Sequence, residues 1–542
     1  MTDNAEARPN RRMVARFIEA QGRDAPLMFW ALVVGAAAGL VGASFRASVT
    51  GMDNLRGHFD SGDLGFGAPS PWQAALLSAL AVMGAVWLVR RFAPEAGGSG
   101  VQEVEGALDG LRPMRWQRIL PVKFVAGLLS LGSGLLMGRE GPTIQMGAAL
   151  GRMLSETFGL RPEHAHVLLA AGGGAGLTAA FNAPLAGMLF VIEEMRPQFH
   201  YNALSVQAVL IACATSDIVV RGVLGGTLIL PMPDLEAPPL EALWIFPLFG
   251  ALLGLIGYAF NGLLLGAVDR MARTSELQRL LLAGSVGGII GWLSMTLPNA
   301  VGGGEALIER ALTGGIPTLF LLALFLGRFV LTVASYGTGA PGGIFAPMLA
   351  LGTLFGLWFG QISHGWIPAL LDHPEVYTVA AMGALFSATV RAPITGIILA
   401  MELTGGYALL LPIVLTCIPA TLVAHSLGGM PIYTLLLDRV LRDEKTETAG
   451  RLILYDTSPG EAGGGGQETV ARLAERLNLE WVRLDIQGDP ELEARYGSRL
   501  PVVEFDGVEI CSGELSERGL EEGIKRVAAG TGAKESIAPR SA

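Results

Sequence analysis

The chain has 542 residues, 51% of them hydrophobic and only 16% charged, with 74 glycines and a net charge of -10. An ordinary soluble domain carries roughly 25% charged residues, so disorder and a soluble enzyme core are excluded, and the negative charge speaks against nucleic acid as a partner. Residues 329–371 and 403–437 contain no Asp, Glu, Lys or Arg, and a bilayer core ~30 Å thick needs about 20 apolar residues per helix. The composition predicts a polytopic α-helical membrane protein.

In chain order, Arg8, Arg11, Arg12, Arg16 and Arg23 precede an apolar run that starts at Leu27 and lasts a full span without a small-residue cleavage site. That pattern reads as a retained first span with a cytoplasmic N-terminal segment over 1–26, by the positive-inside rule. A second apolar run, Trp72 to Val89, leads into the basic cluster Arg90, Arg91, Arg112, Arg115, Arg118 and Lys123, which two crossings return to the same side. The three cysteines, Cys213, Cys417 and Cys511, lie far apart and suggest neither a disulfide framework nor a metal site.

The apolar body repeats itself. Gly138-Arg-Glu-Gly-Pro-Thr-Ile-Gln-Met-Gly147 aligns with Gly343-Ile-Phe-Ala-Pro-Met-Leu-Ala-Leu-Gly352, and Ala183-Pro-Leu-Ala-Gly-Met-Leu-Phe-Val-Ile-Glu193 with Ala392-Pro-Ile-Thr-Gly-Ile-Ile-Leu-Ala-Met-Glu402. Two related halves in one membrane chain are the mark of a transporter, with the binding site between them at helices broken by Gly and Pro. Similarity alone leaves open whether the halves are parallel or inverted. Helices that begin inside the membrane at Pro142 and Pro347 present free N–H groups and a positive dipole end, which suits an anion.

Single residues carry further expectations. Ser99 and Gln102 have the spacing of a capping box, which is the better reading of Ser99 on spacing alone. Glu140, between two glycines at a helix start, can plug an anion site when charged and leave it when protonated; the competing reading is an ion pair with Arg139. Glu193 and Glu194 end an apolar run, where either is a solvated helix end or a proton acceptor, and Glu103 and Glu105 are suited to the same boundary role. His164 and His166 lie in a charged loop and carry no assignment.

These residues resemble the CLC family of chloride channels and chloride/proton exchangers, in particular the bacterial exchangers. The similarity runs from about Leu27 to Arg442 and rests on Gly98-Ser-Gly100, Gly138-Arg-Glu-Gly-Pro142, Phe181-Asn-Ala-Pro-Leu-Ala-Gly187, Ile192-Glu-Glu-Met-Arg-Pro197 and Gly342-Gly-Ile-Phe-Ala-Pro347. The resemblance implies inverted repeats of tilted, partly broken helices over 27–442 (halves about 27–222 and 240–442). It also implies a homodimer with one pathway per subunit, in an inner membrane with both termini cytoplasmic. It implies hydroxyls of Ser99 and Tyr433 and backbone N–H groups of Ile344 and Phe345 at a central chloride, and those from Arg139 to Gly141 at an outer one. Glu140 is then the gating glutamate and Glu194 the internal proton acceptor. The implied activity is chloride/proton antiport with no cofactor and no enzyme chemistry, its rival a passive chloride channel on the same fold. One departure stands out: the family commonly continues Gly-Ser-Gly-Ile-Pro, and here Val101-Gln102 follows.

Beyond 450 the chain changes character, with 28 charged residues in 451–542 against 58 in 1–450. After a linker at 443–450, strands are predicted at Leu452–Tyr455, Trp481–Ile486, Val502–Phe505 and Val508–Cys511. Helices are expected over Gln467–Leu477, near Glu491–Tyr496 and from Leu515. This βαβαββα order over 451–530, followed by a tail at 531–542, resembles a thioredoxin or glutaredoxin-like domain. The loop 457–466, where the redox centre belongs, has no cysteine, so no thiolate chemistry is expected.

Overall fold

The computed structural model describes residues 11–531 apart from 62–68, 196–201, 233, 234, 236, 313–315, 367–372, 448–450, 458–463, 478, 488, 489 and 514. Arg8, Arg196-Pro197, the end of the expected linker and most of the cysteine-free loop lie outside the described residues. The chain divides into two compact units, 1–437 and 438–542.

The first unit is helical, and its helices come in two matching sets. The first is α1 (Arg11–Ser61), α2 (Pro71–Phe92), α3 (Val101–Leu108), α4 (Trp116–Gly132), α5 (Glu140–Thr157), α6 (Pro162–Phe181), α7 (Pro184–Glu193) and α8 (Ala203–Leu224). The second is α9 (Ile245–Ala272), α10 (Glu276–Thr296), α11 (Glu305–Leu312), α12 (Thr318–Gly337), α13 (Phe345–Trp366), α14 (Glu375–Val390), α15 (Pro393–Thr404) and α16 (Leu410–Ser426). Long and short helices fall in the same order in both: eight-residue α3 and α11 each follow a 3-10 turn (Pro94–Ala96, Pro298–Ala300), and α7 and α15 are both short. Among the described residues, eight helical stretches are long and apolar enough to cross a bilayer. A last helix, α17 (Ile432–Glu447), leaves the unit.

The halves are inverted, and local chemistry shows it. Helices α2 and α10 are equivalent and pack through small residues. Along that seam Gly284 faces Met83, Gly287 faces Val82 and Gly291 faces Ala74, so one chain rises as the other falls. The short helices agree. Glu193 ends α7, and its carboxylate accepts the N–H groups of Ile394 (3.0 Å) and Thr395 (2.7 Å) at the start of α15. Glu402 in α15 in turn accepts those of Leu185 (3.1 Å) and Ala186 (2.8 Å) at the start of α7. Each carboxylate satisfies the free donors and the positive dipole end of the opposite helix. Equivalent elements that run antiparallel through one contact are related by a two-fold axis across them.

The second unit is a small α/β domain: β1 (Arg451–Asp456), α18 (Gly464–Leu477), β2 (Glu480–Asp485), α19 (Pro490–Tyr496), β3 (Val502–Phe505), β4 (Val508–Ser512) and α20 (Glu517–Thr531). The sheet order is β2-β1-β3-β4, with β1 and β2 parallel and the other pairs antiparallel. Leu452, Leu454, Val503 and Phe505 turn one sheet face onto Val470 and Leu473 of α18 and Leu520 and Ile524 of α20. On the other face the buried Glu504 accepts hydroxyls from Tyr455 (3.1 Å) and Tyr496 (2.5 Å), whose rings stack at 4.5 Å. Burial and that carboxylate push the Tyr455 hydroxyl up to about 12, so its proton stays in place to donate.

Candidate functional site

The site forms where interrupted helices of the two halves meet. Gly138 and Gly343, equivalent residues, exchange both backbone hydrogen bonds: the Gly138 N–H donates to the Gly343 carbonyl at 2.8 Å, and the Gly343 N–H to the Gly138 carbonyl at 2.6 Å. Helices α5 and α13 begin two residues after this bridge, so the first-turn N–H groups of Arg139–Gly141 and of Ile344–Ala346 have no partner within their own helices. The hydroxyl of Ser130 donates to the Pro341 carbonyl, and that of its equivalent Ser335 accepts the Leu136 N–H at 3.2 Å. Both interrupted segments are thus held from the opposite half.

Glu140, fully buried, turns back over the bridge. Its carboxylate fills the space beside Gly138 so closely that a Cβ there would lie 1.9 Å from Oε2. It stands near its own N–H and that of Ala346, but neither oxygen makes a hydrogen bond of ordinary geometry. Arg139 does not pair with it: the guanidinium is bound by Glu305 at 2.8 Å, which sets aside the competing reading of an ion pair between neighbours.

Ser99 arrives on the loop before α3. Gly98 and Gly100 there have φ of 56° and 87°, and the equivalents Gly302 and Gly304 before α11 have 72° and 101°, left-handed values that side chains resist. The cap of α3 is Gly100, with no side-chain bond, so Ser99 is not the capping residue its spacing suggests. Its buried hydroxyl has no hydrogen-bond partner of ordinary geometry and lies against Gly141, where a Cβ would come within 2.5 Å of Oγ. Tyr433, in the first turn of α17, brings a second fully buried and unbonded hydroxyl beside that of Ser99. Its ring stacks on Phe345 at 6.1 Å, and Phe345 in turn meets Phe386 at 4.9 Å and Phe190 at 5.5 Å. Gln102 is buried with Oε1 unbonded, its amide nitrogen toward Gly98.

Two cations hold the loops. Lys123 is not at the membrane boundary with the basic cluster where the sequence put it. It is fully buried, and its ammonium donates to the carbonyls of Ala96 (3.0 Å) and Gly98 (2.8 Å). Its equivalent Arg328 donates to Val301 (3.1 Å) and Gly302 (2.8 Å). A buried cation survives only with such acceptors, so each half fixes the turn before its short helix by the same device.

The two adjacent glutamates divide. Glu193 is the capping carboxylate of α15, whereas Glu194 is buried with Oε1 unbonded. Its neighbour is Glu105, expected at the boundary but 1% exposed, with both oxygens unbonded. Glu103 is instead paired with Arg112 at 2.9 Å. Ser99, Glu140, Phe345 and Tyr433 thus come together, while Glu194 belongs to a second buried acidic position at the end of α7.

A buried, positively polarised meeting of inverted half-helices defines a membrane transporter of anions. The model of the voltage gated chloride channel family matches residues 79–425, and a glutaredoxin-like domain matches 464–525. The H(+)/Cl(-) exchange transporter ClcA of Vibrio parahaemolyticus is 47% identical over 436 residues, 80% of this chain and 93% of its own. That of Vibrio cholerae is 48% identical over 439 residues, with 80% and 94% covered. The crystal structure of a slow cyanobacterial Cl-/H+ antiporter superposes with a TM-score of 0.74 at 40% identity, over 77% of this chain and 98% of that one. The chain belongs to the voltage-gated chloride channel family, and its C-terminal unit is glutaredoxin-like.

Proposed function

We propose that the chain is a secondary active antiporter exchanging chloride for protons across a bacterial inner membrane, as a homodimer with both termini cytoplasmic. The membrane body is taken as 27–442 and the tail domain as 451–530. The observation that carries the reading is the pair of buried carboxylates, Glu140 at the convergence of two helix starts with both oxygens unbonded and Glu194 at the end of α7 with Oε1 unbonded. In this reading the hydroxyls of Ser99 and Tyr433 and the N–H groups of Ile344 and Phe345 hold the central chloride, and the N–H groups from Arg139 to Gly141 an outer one. Backbone dipoles attract an anion without the lasting grip of a full positive charge.

Glu140 meets both ions. Charged, its carboxylate competes with chloride for the same N–H groups; protonated, it loses that attraction and withdraws, carrying the proton as the anion enters. Glu194 meets only protons, because it faces another carboxylate, Glu105, rather than a helix start. The relatives named as exchangers support antiport. No cofactor enters the cycle, and the tail is a catalytically silent domain, in line with a loop at 457–466 that lacks cysteine. The test is proton movement into liposomes driven by a chloride gradient. Uphill proton uptake that tracks chloride flux is expected, and chloride flux without proton movement would leave the passive channel as the function.

A further inference from the structure

Where α2 ends and α4 begins, the side chains of Arg91, Phe92, Gln117, Arg118, Pro121 and Val122 line a groove of about 440 Å³. No acidic residue lines it. The Arg91 guanidinium stands over the Phe92 ring at 5.4 Å, and among the described residues neither Arg91 nor Arg118 has an acidic partner. Their neighbours differ: Arg90 is held by Glu276 and Arg112 by Glu103. Two guanidiniums at this corner are therefore uncommitted. Trp87 and Phe92, half exposed and meeting edge to face at 5.8 Å, mark the same helix end as a membrane boundary.

We propose that this groove binds the phosphate headgroup of an anionic membrane lipid. Two guanidiniums supply paired N–H donors that match phosphate oxygens. Phe92, Pro121 and Val122 offer an apolar wall to the glycerol and upper acyl chain, and the Gln117 amide is a donor for an ester carbonyl. Basic pockets between membrane helices recognise such headgroups. Inorganic phosphate meets the same guanidiniums but gains nothing from the wall, and a zwitterionic headgroup brings an ammonium that both arginines repel. The groove also joins two elements that flank the Ser99 loop. Helix α2 runs through the turn Pro94–Ala96 into it, and α4 carries Lys123, which holds its carbonyls. A bound lipid ties those two ends together.

The test is native mass spectrometry of the full-length protein in detergent, titrated with dioleoylphosphatidylglycerol, tetraoleoyl cardiolipin or dioleoylphosphatidylcholine. The wild type should retain the anionic lipids in preference to phosphatidylcholine, and millimolar inorganic phosphate should not displace them. R91Q/R118Q, at exposed positions, should lower anionic-lipid retention at least about tenfold, and R91K/R118K distinctly less. Undiminished retention in the Gln pair, displacement by phosphate, no preference over phosphatidylcholine, or equal losses in the Gln and Lys pairs would each overturn the site.

Discussion

The two halves of the membrane body share a framework but not a chemistry. Position for position, Lys123 answers Arg328, Glu193 answers Glu402, Ser130 answers Ser335 and Gly138 answers Gly343, and each pair does the same mechanical task. The residues proposed to meet the ions break the match. Ser99 stands where the second half has Gly303, Glu140 where it has Phe345, and Glu194 where it has Leu403. A symmetric scaffold supplies two helix starts aimed at one point, and the first half alone supplies the carboxylates proposed to take up protons, Glu140 and Glu194. The second half answers with the apolar ring of Phe345, packed on Tyr433 and Phe386. In the proposed function chloride coordination therefore draws on both halves, whereas proton handling is one-sided.

The largest effect should come from removing that one-sidedness. Glu140→Ala takes away plug and proton carrier together, so proton transport should vanish while chloride flows passively in liposomes; retained uphill proton movement would remove Glu140 from the centre. Glu194→Gln should also stop proton coupling, but its chloride flux should still respond to external pH, because Glu140 remains. If this variant drives protons at the wild-type rate, the internal acceptor is Glu105, the carboxylate next to it.

Framework substitutions should act on stability, and equally in both halves. Glu193→Ala and Glu402→Ala each leave two helix-start donors without their acceptor, a loss of about 1.5–3 kcal/mol for bonds to a charged group, read as similar drops in melting temperature in detergent. Unequal drops would show that the framework is less symmetric than its geometry. Tyr433→Ala deletes one hydroxyl at the central position and should weaken chloride binding by about 1–3 kcal/mol in calorimetry, loosening coupling without unfolding. The smallest effect is expected from the tail: truncation after Glu447 should leave exchange measurable, and oxidants should not alter the rate through Cys511. A rate that responds to oxidation and stops responding in Cys511→Ser would give the tail a regulatory role.

How much of this was legible in the sequence follows from what repeats and what does not. The Gly-Pro helix starts at 138–142 and 343–347 were visible because both halves spell them, and the sequence of strands and helices along the tail was visible because alternation and turn residues are local. Lys123 and Arg328 were not, since a lone cation in an apolar run reads as a boundary until the carbonyls that receive it, about 25 residues upstream, are brought to it by the fold. Nor did the sequence separate Glu193 from Glu194. Adjacent residues of one type leave a helix end in different directions, and only the arrival of α15 decides which becomes a cap. Ser99 was misread on spacing because Gly100, not Ser99, takes the cap position.

The bridge between Gly138 and Gly343 has a consequence for how such a chain is assembled. Each glycine pairs with its own equivalent, and each donates and accepts, so the contact is isologous, as at the interface of a two-fold dimer. The same holds for the reciprocal caps of α7 and α15. A seam of this kind needs no peptide link across it: two copies of a single half, inserted in opposite orientations, present each other with complementary backbone at the centre. Severing the connection between α8 and α9 and producing the halves as separate chains should therefore still yield the paired core, held by bonds that the fold makes between halves rather than along them.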